Sequence, residues 1–452
     1  MTISPIIATQ SPEVCATADN TSLVRLYLQS GSLVRQLHPL EFFYCTMFTR
    51  GALHFAGTID INRFLSALKQ TLQNFDVLFA TLHVTNDGAY VHYSADKEHF
   101  VQLEIDQNAT KSDLLLPENV DPRMLQGIGD DLEGLPMCAL KLSIYKTGWC
   151  IGYHLNHALF DQASAVYLFT YLANCYSNNG KSSLAKPTLV ALDALHPKKP
   201  LVFEDLQSHR SFGQKCGFSY VADKSEFYKR VTSAYPGVLA ELKFPLSALT
   251  TLKNQSAQFI SENDILHALL LKMYALDPTL SLEQELCFTF PCNMRKRCDL
   301  TESTIGNVVG SCALSLTVDS IRSADLVTLA AKNRTALNTT TAEGYKEYLM
   351  WYKSFPQFKQ IAKDYLPTTF IRPHYFGASS WSTFPYENIR FDEETPTKLA
   401  TPSVATLGIS IICFEIQGND KVLTTSVGFS KESIPHVLAF AKNCNLFTVT
   451  IN

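Results

Sequence analysis

The chain has 452 residues, 46% of them apolar and 18% charged, which rules out disorder as its main state and supplies core for two or three domains. The balance of 38 basic against 42 acidic residues gives a net charge of −4, and this favours no nucleic-acid partner. Twelve cysteines are scattered from Cys15 to Cys444 without a CxxC pair, a pattern that argues against a disulfide framework or zinc knuckle and predicts reduced thiols.

The first twenty residues have neither the basic start nor the apolar stretch of a secretion signal. No run approaches the roughly 18 apolar residues of a membrane span. A cytoplasmic chain with no membrane span is therefore expected. No period of about 20–50 residues repeats, so solenoids and propellers drop out.

Ile61, Phe64, Leu65, Leu68, Leu72 and Phe75 recur at steps of three and four. That spacing predicts an amphipathic helix with Asp60 at its N-cap. Gly127-Ile128-Gly129 has the look of a phosphate loop, but Asp130, Asp131 and Glu133 follow and would repel phosphate, so it reads as an ordinary loop. Cys138, Leu140, Leu142 and Ile144 alternate with Lys141, Ser143 and Tyr145. This predicts a strand that turns at Thr147-Gly148 and returns as Trp149 to Leu155. A helix follows from about Gln162, with Ala165, Leu168, Phe169 and Leu172 on one face.

Past Cys175 the composition shifts to Asn, Gly, Ser, Lys and Pro, which reads as a long connector. Ser261-Glu262-Asn263-Asp264 opens an apolar helix through Ala275 in capping-box style. Strands are expected at Leu286–Phe290, Val309–Leu316, Thr406–Ile416 and Val422–Phe429. Strands and helices mix in both halves, so the class is α/β or α+β with two subdomains.

The chemistry centres on His157 and Asp161, an HxxxD between a strand and a helix. A strand-to-loop exit on a rigid scaffold can present a catalytic side chain, and an imidazole serves as a general base near neutral pH. A satisfied core histidine is the competing reading for His157, and an N-cap is the competing reading for Asp161. His154, His157 and Asp161 would share a face only on a helix. Their place at the end of a strand argues against a metal site.

The order of several further stretches resembles the BAHD superfamily of acyl-CoA-dependent acyltransferases, whose fold is shared with peptide-synthetase condensation domains. Leu72 through Leu82 resembles the family's early helix and following strand, His157-x-x-x-Asp161 its HxxxD, and Ile265–Ala275 its mid-chain helix. Asn293-Met294-Arg295-Lys296-Arg297 with Ile305-Gly306-Asn307-Val308-Val309 resembles D-x-R-x-R … F-G-N-V, and Ser379-Ser380-Trp381 resembles T-S-W. Two departures point to a divergent branch. Gln162 stands where the family has Gly, and only Phe391 survives of DFGWG at Arg390–Glu394, a segment that is structural in the family.

The resemblance implies an α/β fold of two chloramphenicol-acetyltransferase-like subdomains, each a mixed sheet flanked by helices, with a channel between them. It places an N-terminal subdomain at 1–175, a crossover connector at 176–220 and a C-terminal subdomain at 221–452. It implies acyl transfer from acyl-CoA, the co-substrate, to a hydroxyl or amine of a small molecule of secondary metabolism. His157 would be the general base, with no covalent acyl-enzyme, no permanently bound cofactor and no metal. Ser379 and Trp381 would steady the oxyanion, with strand packing as their competing reading. Asp161 would turn away from substrate and pair with Arg295; a solvated basic patch, or contact with CoA phosphates, competes for Arg295 and Lys296. A monomer is expected. The alternatives are a condensation-type enzyme fed by a carrier-protein-bound donor and a non-catalytic binding protein on the same fold.

Overall fold

In the computed structural model, which describes residues 13–16, 21–28, 31–85, 88–94, 98–110, 115–126, 132–196, 201–215, 218–223, 225, 237–355, 365–367, 375–404 and 408–451, the expected hairpin forms as strands Cys138–Tyr145 and Gly148–Asn156. The chain divides into two units. One comprises Met1–Val190, Glu302–Asn307 and Pro385–Ala400. The other comprises Ala191–Thr301, Val308–Phe384 and Thr401–Asn452.

In the first unit the main sheet runs Glu13–Ala16, Thr21–Tyr27, Phe100–Asp106, Cys138–Tyr145, Gly148–Asn156, Phe48–Phe55, Lys398–Ala400. All neighbours are antiparallel except Phe100–Asp106 beside Cys138–Tyr145. Every residue of Gly148–Asn156 is buried, because both faces of the sheet are covered. On one face Trp149 stacks on Phe55 at 4.1 Å between ring centroids, and Tyr153 meets Phe169 at 5.0 Å. Phe169 belongs to helix Gln162–Ser177, which packs against helix Ile61–Leu72. The latter is capped by Asp60, whose side chain accepts the Arg63 N–H.

The opposite face carries the polar half of the alternation, yet it is not solvated: Lys141 and Ser143 are buried. Residues 115–119 lie over it. Lys141 Nζ pairs with Glu104 Oε1 at 2.8 Å, and Glu104 also accepts the backbone N–H groups of Glu118 and Asn119. Gly152 permits this cover, since a Cβ there would stand 2.0 Å from the Leu115 carbonyl oxygen.

The segment Pro385–Ala400 joins this unit through Phe391. Its ring is buried and lies edge-on to Trp149 at 5.0 Å and to Phe55 at 5.4 Å, with Phe64 and Tyr176 completing the cluster. Asp392 accepts two hydrogen bonds from the Arg63 guanidinium, both 2.7 Å, and that guanidinium lies over the Tyr176 ring at 4.1 Å.

In the second unit the sheet runs Val309–Thr317, Glu285–Asn293, Tyr375–Ser380, Ile409–Gln417, Asp420–Phe429, Val238–Pro245, Thr448–Ile451. Tyr375–Ser380 is parallel to both of its neighbours, and the other pairs are antiparallel. Helix Glu262–Ala275 is buried almost throughout, as its apolar sequence requires. Its capping box forms as expected: Ser261 Oγ accepts the Asp264 N–H, and Asp264 Oδ2 accepts the Ser261 N–H. Residues 176–220, read from composition as a connector, carry short elements of their own. Thr188–Leu189 pairs with Thr304–Ile305 in the first unit. Helix Leu206–Lys215 in the second unit packs His209 on Trp351. Gly127–Gly129 and the start of the Thr406–Ile416 expectation lie outside the described residues; that strand runs Ile409–Gln417.

Candidate active site

The buried strand ends at Asn156, and hydrogen bonds fix its exit. Asn156 Nδ2 donates to the Cys45 carbonyl at 2.8 Å, Asn156 Oδ1 accepts the Ala158 N–H at 3.0 Å, and the His157 N–H donates to the Met47 carbonyl at 2.8 Å. Thr49 Oγ1 holds the Phe160 carbonyl at 2.7 Å. The turn bearing His157 is therefore tied on both sides, which fixes the direction of the side chain.

The His157 side chain is half-buried and stacks on Tyr44 with centroids 5.0 Å apart. Its Nδ1 is enclosed without a regular hydrogen-bond partner. Burial holds the imidazole below its ordinary pKa, while its own backbone and the Asp161 carboxylate pull the other way. The ring is consequently neutral at pH 7 and able to accept a proton.

Asp161 is buried and caps helix Gln162–Ser177, accepting the Ser164 N–H at 2.9 Å. The Ser164 hydroxyl lies 2.8 Å from Asp161 Oδ1 and 3.0 Å from the Gly306 carbonyl, either of which takes its proton, and it accepts the Gly306 N–H. Gly306 thus sits against the HxxxD turn. Its φ of +142° and a would-be Cβ 2.2 Å from Val190 Cγ1 both require glycine. Gln162, in the family's glycine position, donates to the Tyr386 hydroxyl at 2.8 Å and bonds Tyr153. The departure from glycine therefore comes with partners in segment 385–400.

His154 lies inside the strand and His157 beyond its end, so their spacing is not that of a helix face. His154 is buried, and neither ring nitrogen has a hydrogen-bond partner of regular geometry. Burial, with help from the Arg50 charge and against the Met124 backbone, pushes its pKa down to about 4.

In the second unit, Arg295 is buried, which removes the solvated-patch reading for it; Lys296 is exposed. Arg295 Nη1 and its backbone N–H both donate to Asn293 Oδ1, at 3.2 and 3.1 Å. Ser379 is half-buried near the end of strand Tyr375–Ser380, in register with Ile411. Trp381 is buried in the following 3-10 turn. Lys421 Nζ donates to the Ser382 carbonyl and Thr383 Oγ1 to the Ser380 carbonyl, fixing that turn. Sequence reasoning did not single out His267, whose Nε2 lies 3.1 Å from Ser380 Oγ. Burial, with the Arg334 charge adding to it, lowers its pKa to about 3. One histidine inside the apolar run Ile265–Leu271 was the available signal.

A sequence profile of the family described as "Transferase family" matches residues 9–436. No curated protein matches the sequence. Among solved structures, F. graminearum TRI101 complexed with ethyl coenzyme A superposes with a TM-score of 0.68 at 12% identity, over 93% of this chain and 100% of that one. Vinorine synthase gives 0.59 at 14% identity, over 95% of this chain and 97% of its own. Polyketide synthase associated protein 5 from Mycobacterium tuberculosis gives 0.54 at 14% identity, over 91% and 98%. At these identities the likeness is one of fold, and it agrees with the mixed α/β class expected from the sequence. Because the profile spans nearly the whole chain and the motifs occur in the family's order, the protein belongs to the BAHD-type transferase family.

Proposed function

We propose that this transferase moves an acyl group from acyl-CoA to a hydroxyl or amine of a small molecule, with His157 as general base. The observation that carries the reading is a neutral imidazole fixed at a strand exit, its basic form favoured by burial. His157 takes the acceptor's proton as the acceptor oxygen or nitrogen attacks the thioester carbonyl. The tetrahedral adduct collapses, the C–S bond breaks, and the imidazolium returns the proton to the departing CoA thiolate. General-base help of this kind is worth roughly 10²–10⁴-fold. The Ser379 hydroxyl and the Trp381 indole N–H are the proposed donors to the oxyanion, each worth up to ~10²–10³-fold. Asp161 is a positioning residue: it caps the helix behind His157 and, as the family resemblance implies, pairs with Arg295.

The test is acceptor-dependent release of CoA thiol. The purified chain is incubated with acetyl-CoA and longer acyl-CoAs across a library of alcohols and amines. Release is expected with the parent and lost in His157→Ala, with the melting temperature little changed. Release at the parent's rate in His157→Ala overturns the base assignment. Absence of CoA binding by calorimetry overturns the donor.

A further inference from the structure

Cys292 and Cys312 lie on the adjacent antiparallel strands Glu285–Asn293 and Val309–Thr317 of the second unit. The register sets Cys292 opposite Gly310 and Cys312 opposite Phe290, so the two cysteines are diagonal neighbours on one face. Both thiols are buried, and Cys292 Sγ donates to the Asn293 carbonyl at 3.7 Å. Arg297 Nη1 donates to Cys292 Sγ at 3.0 Å, while its Nη2 is held by the Leu337 carbonyl at 3.2 Å. Cys312 Sγ lies 3.0 Å from Thr340 Oγ1.

The pair is polarised. The neighbouring Cys312 lowers the Cys292 thiol pKa against the cost of burial, and Arg297 lowers it further; the Cys312 thiol is raised. Cys45, Cys138 and Cys150 are instead pushed up by burial alone or nearly so. A guanidinium on one sulfur and a neutral thiol diagonal to it on the next strand are the parts of an attacking and a resolving cysteine.

We propose that Cys292 and Cys312 form a reversible disulfide on exposure to a hydroperoxide, with Cys292 as the attacking sulfur, Arg297 as its counter-ion and Cys312 as the resolving thiol. The Cys292 thiolate attacks the outer peroxide oxygen. The O–O bond breaks, the leaving oxygen takes a proton to depart as water or an alcohol, and Cys292 becomes a sulfenic acid. Cys312 then attacks that sulfur, its proton leaves with the hydroxyl as water, and the S–S bond forms. Two thiols lose two electrons and the hydroperoxide gains them. Diagonal neighbours of an antiparallel pair stand about 7–8 Å apart, beyond the usual Cα spacing of a disulfide, which reaches about 7 Å. The backbone must move to close the bond, and a strained bond formed that way is readily reduced. The ring so closed contains Arg295. This proposal is independent of the transferase reading.

The reduced full-length chain is treated with hydrogen peroxide, blocked with N-ethylmaleimide without reductant, and mapped by peptide mass. A peptide joining Cys292 to Cys312, two hydrogens lighter than its parts and separated by dithiothreitol, is expected. Its formation slows several-fold in Arg297→Gln and less in Arg297→Lys, both checked for the parent's melting temperature. In Cys312→Ser, dimedone traps a sulfenic acid at Cys292. The proposal is overturned if both cysteines remain alkylated at a peroxide dose that oxidises the half-buried Cys298 and Cys444. It is equally overturned if Cys312→Ser yields no dimedone adduct at Cys292.

Discussion

The hydroxyl of Ser164 accepts the N–H of Gly306 at 3.0 Å across 142 residues of sequence. That contact joins two motifs that look unrelated in the linear chain. Gly306→Ala puts a methyl into Val190 at a backbone conformation that disfavours any side chain, at a cost of about 1–3 kcal/mol for the backbone alone. The expected result is a lower melting temperature together with slower acyl transfer, since the Ser164–Asp161 cap behind His157 is disturbed. A melting curve superimposable on the parent's would contradict this account of Gly306.

Acid should destabilise the protein early. His154 drops from an ordinary 6.5 to about 4 in the folded chain, so as pH falls the unfolded chain takes up the proton first. Stability is complete above about pH 6.5 and is lost progressively toward pH 4, by on the order of 3 kcal/mol for this group. His157 is displaced in the same direction. Melting temperatures from pH 7.5 to 4.5 should fall for the parent and fall less for His154→Leu. Equal slopes would remove His154 as a cause.

With His157 as the proposed base, its downward displacement predicts the rate profile. Its imidazole stays basic below the usual imidazole range, so the acidic limb of kcat/KM for acyl transfer should lie below pH 6.5. A limb above pH 7 would mean that another group supplies the base.

Asp161 and Arg295 are each buried, and their pairing is a proposal that a double-variant cycle tests. Asp161→Ala removes a helix cap worth about 1–2 kcal/mol. On the proposed pairing, removing the carboxylate from a buried arginine would add up to roughly 3–5 kcal/mol. Urea unfolding of Asp161→Ala, Arg295→Gln and the double variant gives the coupling directly. Strong coupling is expected; additive losses would leave Asp161 with the cap alone.

Phe391 and Asp392 are neighbours with unequal weight. Phe391→Ala empties the centre of a ring cluster and should cost about 3–5 kcal/mol. Asp392→Asn breaks an ion pair whose side chains are 33% and 50% exposed, and should cost less than about 1 kcal/mol. Chemical denaturation of the two variants checks the order; a larger loss for Asp392→Asn would reverse the account of how segment 385–400 is held.

The sequence made legible what local physics decides. Helix period and the Asp60 cap gave Ile61–Leu72, although Phe75 falls past the helix end, where the chain turns into Asp76–Phe79. Alternation gave the hairpin, and Ser261 with Asp264 gave the start of the buried helix. What escaped depends on contacts distant in sequence. The polar face of Cys138–Tyr145 looks solvent-facing until Glu104 and residues 115–119 cover it. The degenerate stretch at Arg390–Glu394 looks like a loss until Phe391 is seen among Trp149, Phe55, Phe64 and Tyr176. Within the site, His157 and Asp161 stood out by spacing. The bonds of Gln162 to Tyr386 and of His267 to Ser380 did not, because single polar letters carry no trace of their partners.

The lodging of Phe391 inside the first unit also limits how the gene can be divided. A fragment ending near Val190 would leave Trp149 and Phe55 facing water where a ring from far downstream belongs. Expressed alone it would clump, and a chimera spliced there would work only if donor and recipient agreed on that aromatic plug. Supplying a peptide spanning 385–400 in trans should restore solubility to such a truncation.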